Sequence, residues 1–256
     1  RRRGVMLEQL PFGPQLSAWI IMFMLIVGRL TFVVFLMPGI GDQTVPARVR
    51  LSLLLGAAML FAMSGLVSPP TDLSIGNFVG LLGAEIIIGL GLGVLLRTTI
   101  WILNMAGALI AQSIGLSQML GIALDTEAQT VTSNLLALAG AVLLLSADYH
   151  VSVFVRMAEV YSEIPVGALA QFDQGFVIDG MLNAVKFAVL IAWPFVAINL
   201  LYNISLGFIN KALPSLMVAF VGAPFMIGAG FVLLAISIST ILMVWMDRVS
   251  GSIGWW

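Results

Sequence analysis

Apolar residues run along this chain in stretches far longer than the polar segments between them. Residues 16–37 form the first run, which carries a charge only at Arg29. A turn-rich connector follows, residues 38–50, with Pro38, Pro46, Arg48 and Arg50. The second run, 51–67, stops ahead of Pro69-Pro70, a pair that cannot continue a helix. Residues 77–120 are almost continuously apolar, broken mildly by Arg97-Thr98-Thr99 and Asn104, and read as two spans or one very long kinked helix. After a polar break at 121–129 come a helix over 130–146 and a shorter amphipathic one over 151–164, which carries Arg156, Glu159 and Glu163. Two further runs, 176–209 with Pro194 at its middle and 215–244, are joined by Asn210-Lys211-Ala212-Leu213-Pro214. Such a short joint folds them back as an antiparallel hairpin. Strands are excluded, because an apolar strand needs only 4–8 residues. A bilayer core of about 30 Å takes roughly 20 helical residues, so several of these helices are overlong and must tilt, kink or project beyond the lipid. The expected fold is all-α and membrane-associated, built from long helical hairpins.

Composition strengthens this reading. Of 256 residues, 61% are hydrophobic and 9% charged, against about 25% charged in a soluble domain. Mean hydropathy is +1.11. A soluble monomer with this composition would expose apolar patches far larger than such proteins tolerate. The net charge of −1 provides no basic field for nucleic acid. There is no cysteine and His150 is the sole histidine, so thiolate sites and two-histidine metal motifs cannot be written. No cofactor is expected. Met6 reads as a natural start preceded by five upstream residues, and the run 16–37 is too long for the apolar region of a cleavable signal peptide.

Charges inside the apolar runs are the first candidates for function, since each costs about 2.5–3.5 kcal/mol at a helix centre in lipid. Arg29, Glu85, Arg97 and Lys186 are the clear cases, with Asp179 a further candidate outside that set. An ion or proton pathway is one reading. One acid among several bases makes a poor relay, so pairing between helices or subunits is preferred, with Arg29, Glu85, Arg97 and Lys211 as the contact residues. Glycines at 76 and 80, at 89, 91 and 93, and at 228 and 230 place small residues where helix backbones can approach closely. Asp148-Tyr149-His150 sets an acid near the imidazole, but no serine stands in a nucleophile-elbow context. Nor is there a GxxxxGK[ST] loop for nucleotide. The chain is therefore expected to do no bond chemistry. A polytopic transporter of small solutes is the alternative, with broken helices such as one at Pro194 and midplane polar residues.

Four segments in order carry a family resemblance. Asn210-Lys211, then Pro214-Ser215, Phe220 and Gly222-Ala223-Pro224 follow a pattern of Asn-Arg, Pro-Gln, an apolar stretch with Phe, and Gly-x-Pro; Lys211 and Ser215 replace the usual Arg and Gln. Arg29, Pro38, Pro46, Arg48 and Arg50 match a first helix with a proline-bounded basic connector. Ala84-Glu85 through Gly89 matches a Glu-x3-Gly helix, and Ala106-Gly107 through Gly115-Leu116-Ser117 leads into a loop segment. With these features the chain resembles the FliR/SctT family of type III secretion export-gate proteins over nearly its whole length, and Gly222 favours the flagellar branch.

The resemblance implies a subunit rather than an enzyme. It implies a FliP-like part over residues 6–165 and a FliQ-like hairpin over 166–248, forming one export-gate domain. Expected partners are FliP and FliQ homologues, an FlhB homologue, unfolded secreted proteins and the lipid bilayer of the bacterial inner membrane, at the flagellar basal body. Gly115, Leu116, Ser117, Gln118, Met119, Leu120, Ile122, Leu124 and Asp125 would form the pore plug. The family's aromatic and Asp-Pro after Gly-Leu-Ser are absent here.

Overall fold

The computed structural model describes residues 13–42, 45–72, 74–115, 125–212 and 218–252. Among them the only long elements are helices: α1 (Gly13–Leu36), α2 (Ala47–Met63), α3 (Ile75–Ile114), α4 (Asp125–Ser146), α5 (Tyr149–Glu163), α6 (Gln174–Ala212) and α7 (Val218–Ser252). A 3-10 turn, Leu169–Gln171, lies between α5 and α6. Among the described residues four helices are long and apolar enough to cross a membrane, and a fifth span is reached if α4 and α5 count as one broken crossing. The all-α membrane architecture is the one the apolar runs predict.

Helix ends fall where local chemistry puts them. Pro46, with φ −55°, caps α2, so Arg48 and Arg50 stand in its first turn rather than in the connector. Proline is preorganised for a helix start and cannot donate the missing hydrogen bond. Gly65 and Gly115 follow the ends of α2 and α3 in the left-handed conformation, φ +74° and +77°, which costs glycine nothing. Asp148, φ 52°, separates α4 from α5, a backbone position that a short polar side chain tolerates. The run that begins at residue 77 lies in one 40-residue helix as far as Ile114, rather than in two spans. Helix α6 continues for 39 residues straight through Pro194, so the broken helix that a transporter reading requires there is not present. It also extends through Ala212, placing Asn210 and Lys211 in its last turn rather than in a turn between helices.

Two compact units make up the chain. Of the described residues, the first holds those from 13 to 97 together with Asp148–Asp179; the second holds Thr98–Ala147 and those from 180 to 252. In the first, α1 packs on α2 and buries Met22, Leu25, Ile26, Leu30, Val33 and Val34, a stripe at helical spacing. Glycines let α3 press on α1. A side chain at Gly89 would collide with the Arg29 carbonyl, and a Cβ at Gly93 would stand 2.5 Å from the Phe32 carbonyl oxygen.

The second unit is organised around Trp245. Its ring is fully buried, donates Nε1–H to the Thr99 carbonyl at 2.8 Å and lies over Gly140. Helices α3 and α4 meet at Gly107, where a Cβ would come within 2.7 Å of the Ser133 Cα, and Ser133 Oγ donates to the Asn104 carbonyl at 2.9 Å. Within this unit α6 and α7 run antiparallel. The Tyr202 hydroxyl sits over Gly222, and the Arg248 guanidinium stands 5.2 Å from the Phe187 ring centroid.

Candidate functional site

The most constrained polar cluster is built on α1 and α3. Arg29 donates Nε–H to Glu85 Oε2 at 2.7 Å and Nη2–H to Oε1 at 2.9 Å. Both side chains are fully buried, at 0% exposure. This two-pronged arrangement is the strong geometry for a guanidinium and a carboxylate. The local sequence makes it reachable. Gly89 lies one turn beyond Glu85 on the same face and accepts the α1 backbone at Arg29 itself. Gly28, beside Arg29, leaves room for Leu82, which would stand 2.8 Å from an added Cβ.

The turn after α5 completes the cluster. Arg29 Nη1 donates to the Ile164 carbonyl at 3.0 Å, and the Gly167 N–H donates to Glu85 Oε1 at 3.0 Å. The guanidinium carbon lies 4.1 Å from the Tyr161 ring centroid, a cation–π contact. Tyr161 in turn tilts against Phe61 with centroids 5.7 Å apart. Its buried hydroxyl has no hydrogen-bond partner among the described residues. Removing one member of such a pair costs about 3–5 kcal/mol, whereas replacing both with apolar residues is often neutral. The cluster therefore specifies which segments meet more than it stabilises them.

A second ion pair joins Arg97 Nη1 to Asp42 Oδ1 at 2.5 Å, both about a quarter exposed. Asp42 Oδ2 also accepts the Gly39 N–H at 3.3 Å, and Arg50 lies over the Phe35 ring at 5.1 Å. These contacts pin the segment leaving α1. Lys211 and Asn210 are exposed at the end of α6. Pro224 is exposed and borders an open apolar groove of about 500 Å³ along α7, with Phe225, Gly228, Ala229, Val232, Leu233 and Ile236.

Of the expected plug, Gly115 directly follows α3, while Leu116, Ser117, Gln118, Met119, Leu120, Ile122 and Leu124 lie outside the described residues. Pro214 does too. Asp125 and Phe220 have helical backbone, but their side chains lie outside the description. The structure thus brings Arg29 to Glu85 and gives Arg97 a separate acid. Sequence reasoning did not anticipate Asp42, Tyr161 or Trp245. The one available signal was that tyrosine and tryptophan in apolar helices carry a polar tip that wants a partner.

Over residues 20–251 the chain matches the family described as Bacterial export proteins, family 1. The chain belongs to that family. It is similar to the flagellar biosynthetic protein FliR of Caulobacter vibrioides, at 29% identity over 229 residues, covering 88% of this chain and 91% of the relative. The FliR proteins of Aquifex aeolicus (26% over 218 residues, 83% of each chain) and Escherichia coli (22% over 226 residues, 86% and 85%) are also similar. The FliR/SctT resemblance read from the motifs is borne out, and Arg29, Glu85, Arg97 and Lys211 all fall inside the matched span. Membership makes the chain a bacterial export protein with several membrane-capable helices.

Proposed function

We propose that the chain is a non-enzymatic subunit of the flagellar type III export gate, in the inner membrane at the basal body. It assembles with FliP and FliQ homologues around the pore through which unfolded flagellar proteins leave, and an FlhB homologue associates with that gate. The match over residues 20–251 carries this reading. The physical form of the chain supports it. Helix α6 exposes Leu182 and Phe208, at 52% and 72%, which lie about 39 Å apart along its axis at 1.5 Å per residue. A hydrocarbon core of about 30 Å does not reach both, even at the usual tilt of about 20°. Another subunit covering one end would account for that exposure, which suits a subunit buried among others.

In this reading residues 6–165 form the FliP-like part and 166–248 the FliQ-like hairpin. Residues 115–125 plug the closed pore, with Met119, Leu120, Ile122 and Leu124 as its apolar surface. Arg29, Glu85 and Arg97 act within the chain, while Lys211 is free to contact a neighbouring subunit. The test is genetic removal in the host, with secretion of filament protein measured before and after complementation. Loss of secretion that the intact gene restores is expected; secretion unchanged by removal would overturn the proposal.

A further inference from the structure

The Arg29–Glu85 pair does more than satisfy two buried charges. Each partner spends one further hydrogen bond on the same short turn, and the two bonds have opposite polarity. Arg29 offers a donor to the Ile164 carbonyl, and Glu85 offers an acceptor to the Gly167 N–H. The turn itself has little else to hold its shape. Ile164 leaves α5 with φ −125° and ψ 85°, Pro165 follows, and Gly167 is left-handed at φ +77°. Its internal backbone bonds, such as Ala168 N–H to the Pro165 carbonyl at 3.0 Å, close single turns only. Apolar anchoring comes from Leu81 beneath Gly167 and from the Phe172 ring against Gly91. Yet Asp148–Asp179 belongs to the same compact unit as the described residues up to Arg97, across an intervening stretch of fifty residues that belongs to the other unit (98–147).

We propose that Arg29 and Glu85 form a polarity-coded latch, which docks the 164–167 turn and with it the start of α6 onto α1 and α3. The pair positions the turn through its donor and acceptor, and its charge alone is insufficient. Breaking the pair releases both backbone bonds together, so the turn opens as one piece. This inference concerns contacts within the chain and does not depend on the export-gate reading.

The charge-swapped variant Arg29→Glu/Glu85→Arg separates these roles. It keeps an attractive pair but turns a carboxylate toward the Ile164 carbonyl and a guanidinium toward the Gly167 N–H. Amide hydrogen exchange, read by mass spectrometry on the purified full chain in detergent, reports the turn directly. In the wild type the Gly167 amide is expected to exchange as slowly as the α3 amides around Glu85. In the swap the segment 164–168 should exchange at least about tenfold faster, the loss of two net hydrogen bonds, while α1 and α3 stay protected. A swap that retains wild-type protection in the turn would overturn the latch, because charge alone would then suffice. If the swap does not fold, the wild-type measurement decides: a Gly167 amide exchanging at an open-loop rate would overturn the proposal equally.

Discussion

Replacing Gly89 with alanine adds one methyl group, and the structure says where it would go. The new carbon would overlap the Arg29 carbonyl oxygen and stand 2.9 Å from both the carbonyl carbon and Cα of Arg29. Those are backbone atoms in the middle of a helix, so no rotamer change relieves the contact. Helix α1 would have to back away from α3 by roughly 0.5–1 Å, an overpacking strain of about 1–3 kcal/mol. That movement also lengthens the buried Arg29–Glu85 bonds. Gly80, on the same helix, has nothing within 4 Å of its Cβ direction, and alanine there should gain about 0.5–1 kcal/mol from helix propensity alone. Gly91 falls between them, since the atom it would meet at 2.5 Å is the tip of the Phe172 ring, which can turn. Denaturant unfolding of the three single variants in one detergent, followed by far-ultraviolet circular dichroism, should rank them Gly80→Ala above Gly91→Ala above Gly89→Ala. The outer two should differ by about 2–3 kcal/mol. Equal stability for the Gly80 and Gly89 variants would refute the close approach of α1 and α3.

Further outcomes follow from the same geometry. Arg29→Met should destabilise the chain by about 3–5 kcal/mol by stranding Glu85, and Arg29→Met/Glu85→Leu should recover most of it in the same unfolding assay. Trp245→Phe removes the bond to the Thr99 carbonyl and should cost about 1–2 kcal/mol, measured as a fall in Tm. Gly107→Ala should cost about 1–3 kcal/mol, because its neighbour is the Ser133 backbone. Under the export-gate proposal, deleting residues 116–124 should make membranes carrying the assembled gate leak small ions, seen as single-channel conductance in planar bilayers; unchanged conductance contradicts the plug.

The helices were legible because apolar runs of this length admit no other fold in lipid. Their neighbours were not. Glycine spacing marked both the 76/80 pair and the 89/93 pair as close-approach faces, but only the second has a backbone against it. Periodicity identifies a face and not what covers it. The intramembrane charges were found individually, yet the count of one acid among several bases overlooked Asp42, which lies in the connector and neutralises Arg97. Contacts between residues as far apart as Arg29 and Ile164 depend on how α5 returns to α1, and local pattern is silent on that. Pro194 looked like a break. An apolar helix can carry a proline where neighbouring groups and small local adjustments re-satisfy the freed carbonyl, and α6 runs through Pro194 as one helix.

The central claim, that this chain is one subunit of a multi-protein export gate, is tested most directly by what it brings with it. A tagged copy expressed in its own host should be extracted in mild detergent and weighed by native mass spectrometry. The account predicts a defined complex containing two small, very apolar helical subunits alongside this chain. A clean, stable monomer or homodimer would contradict it.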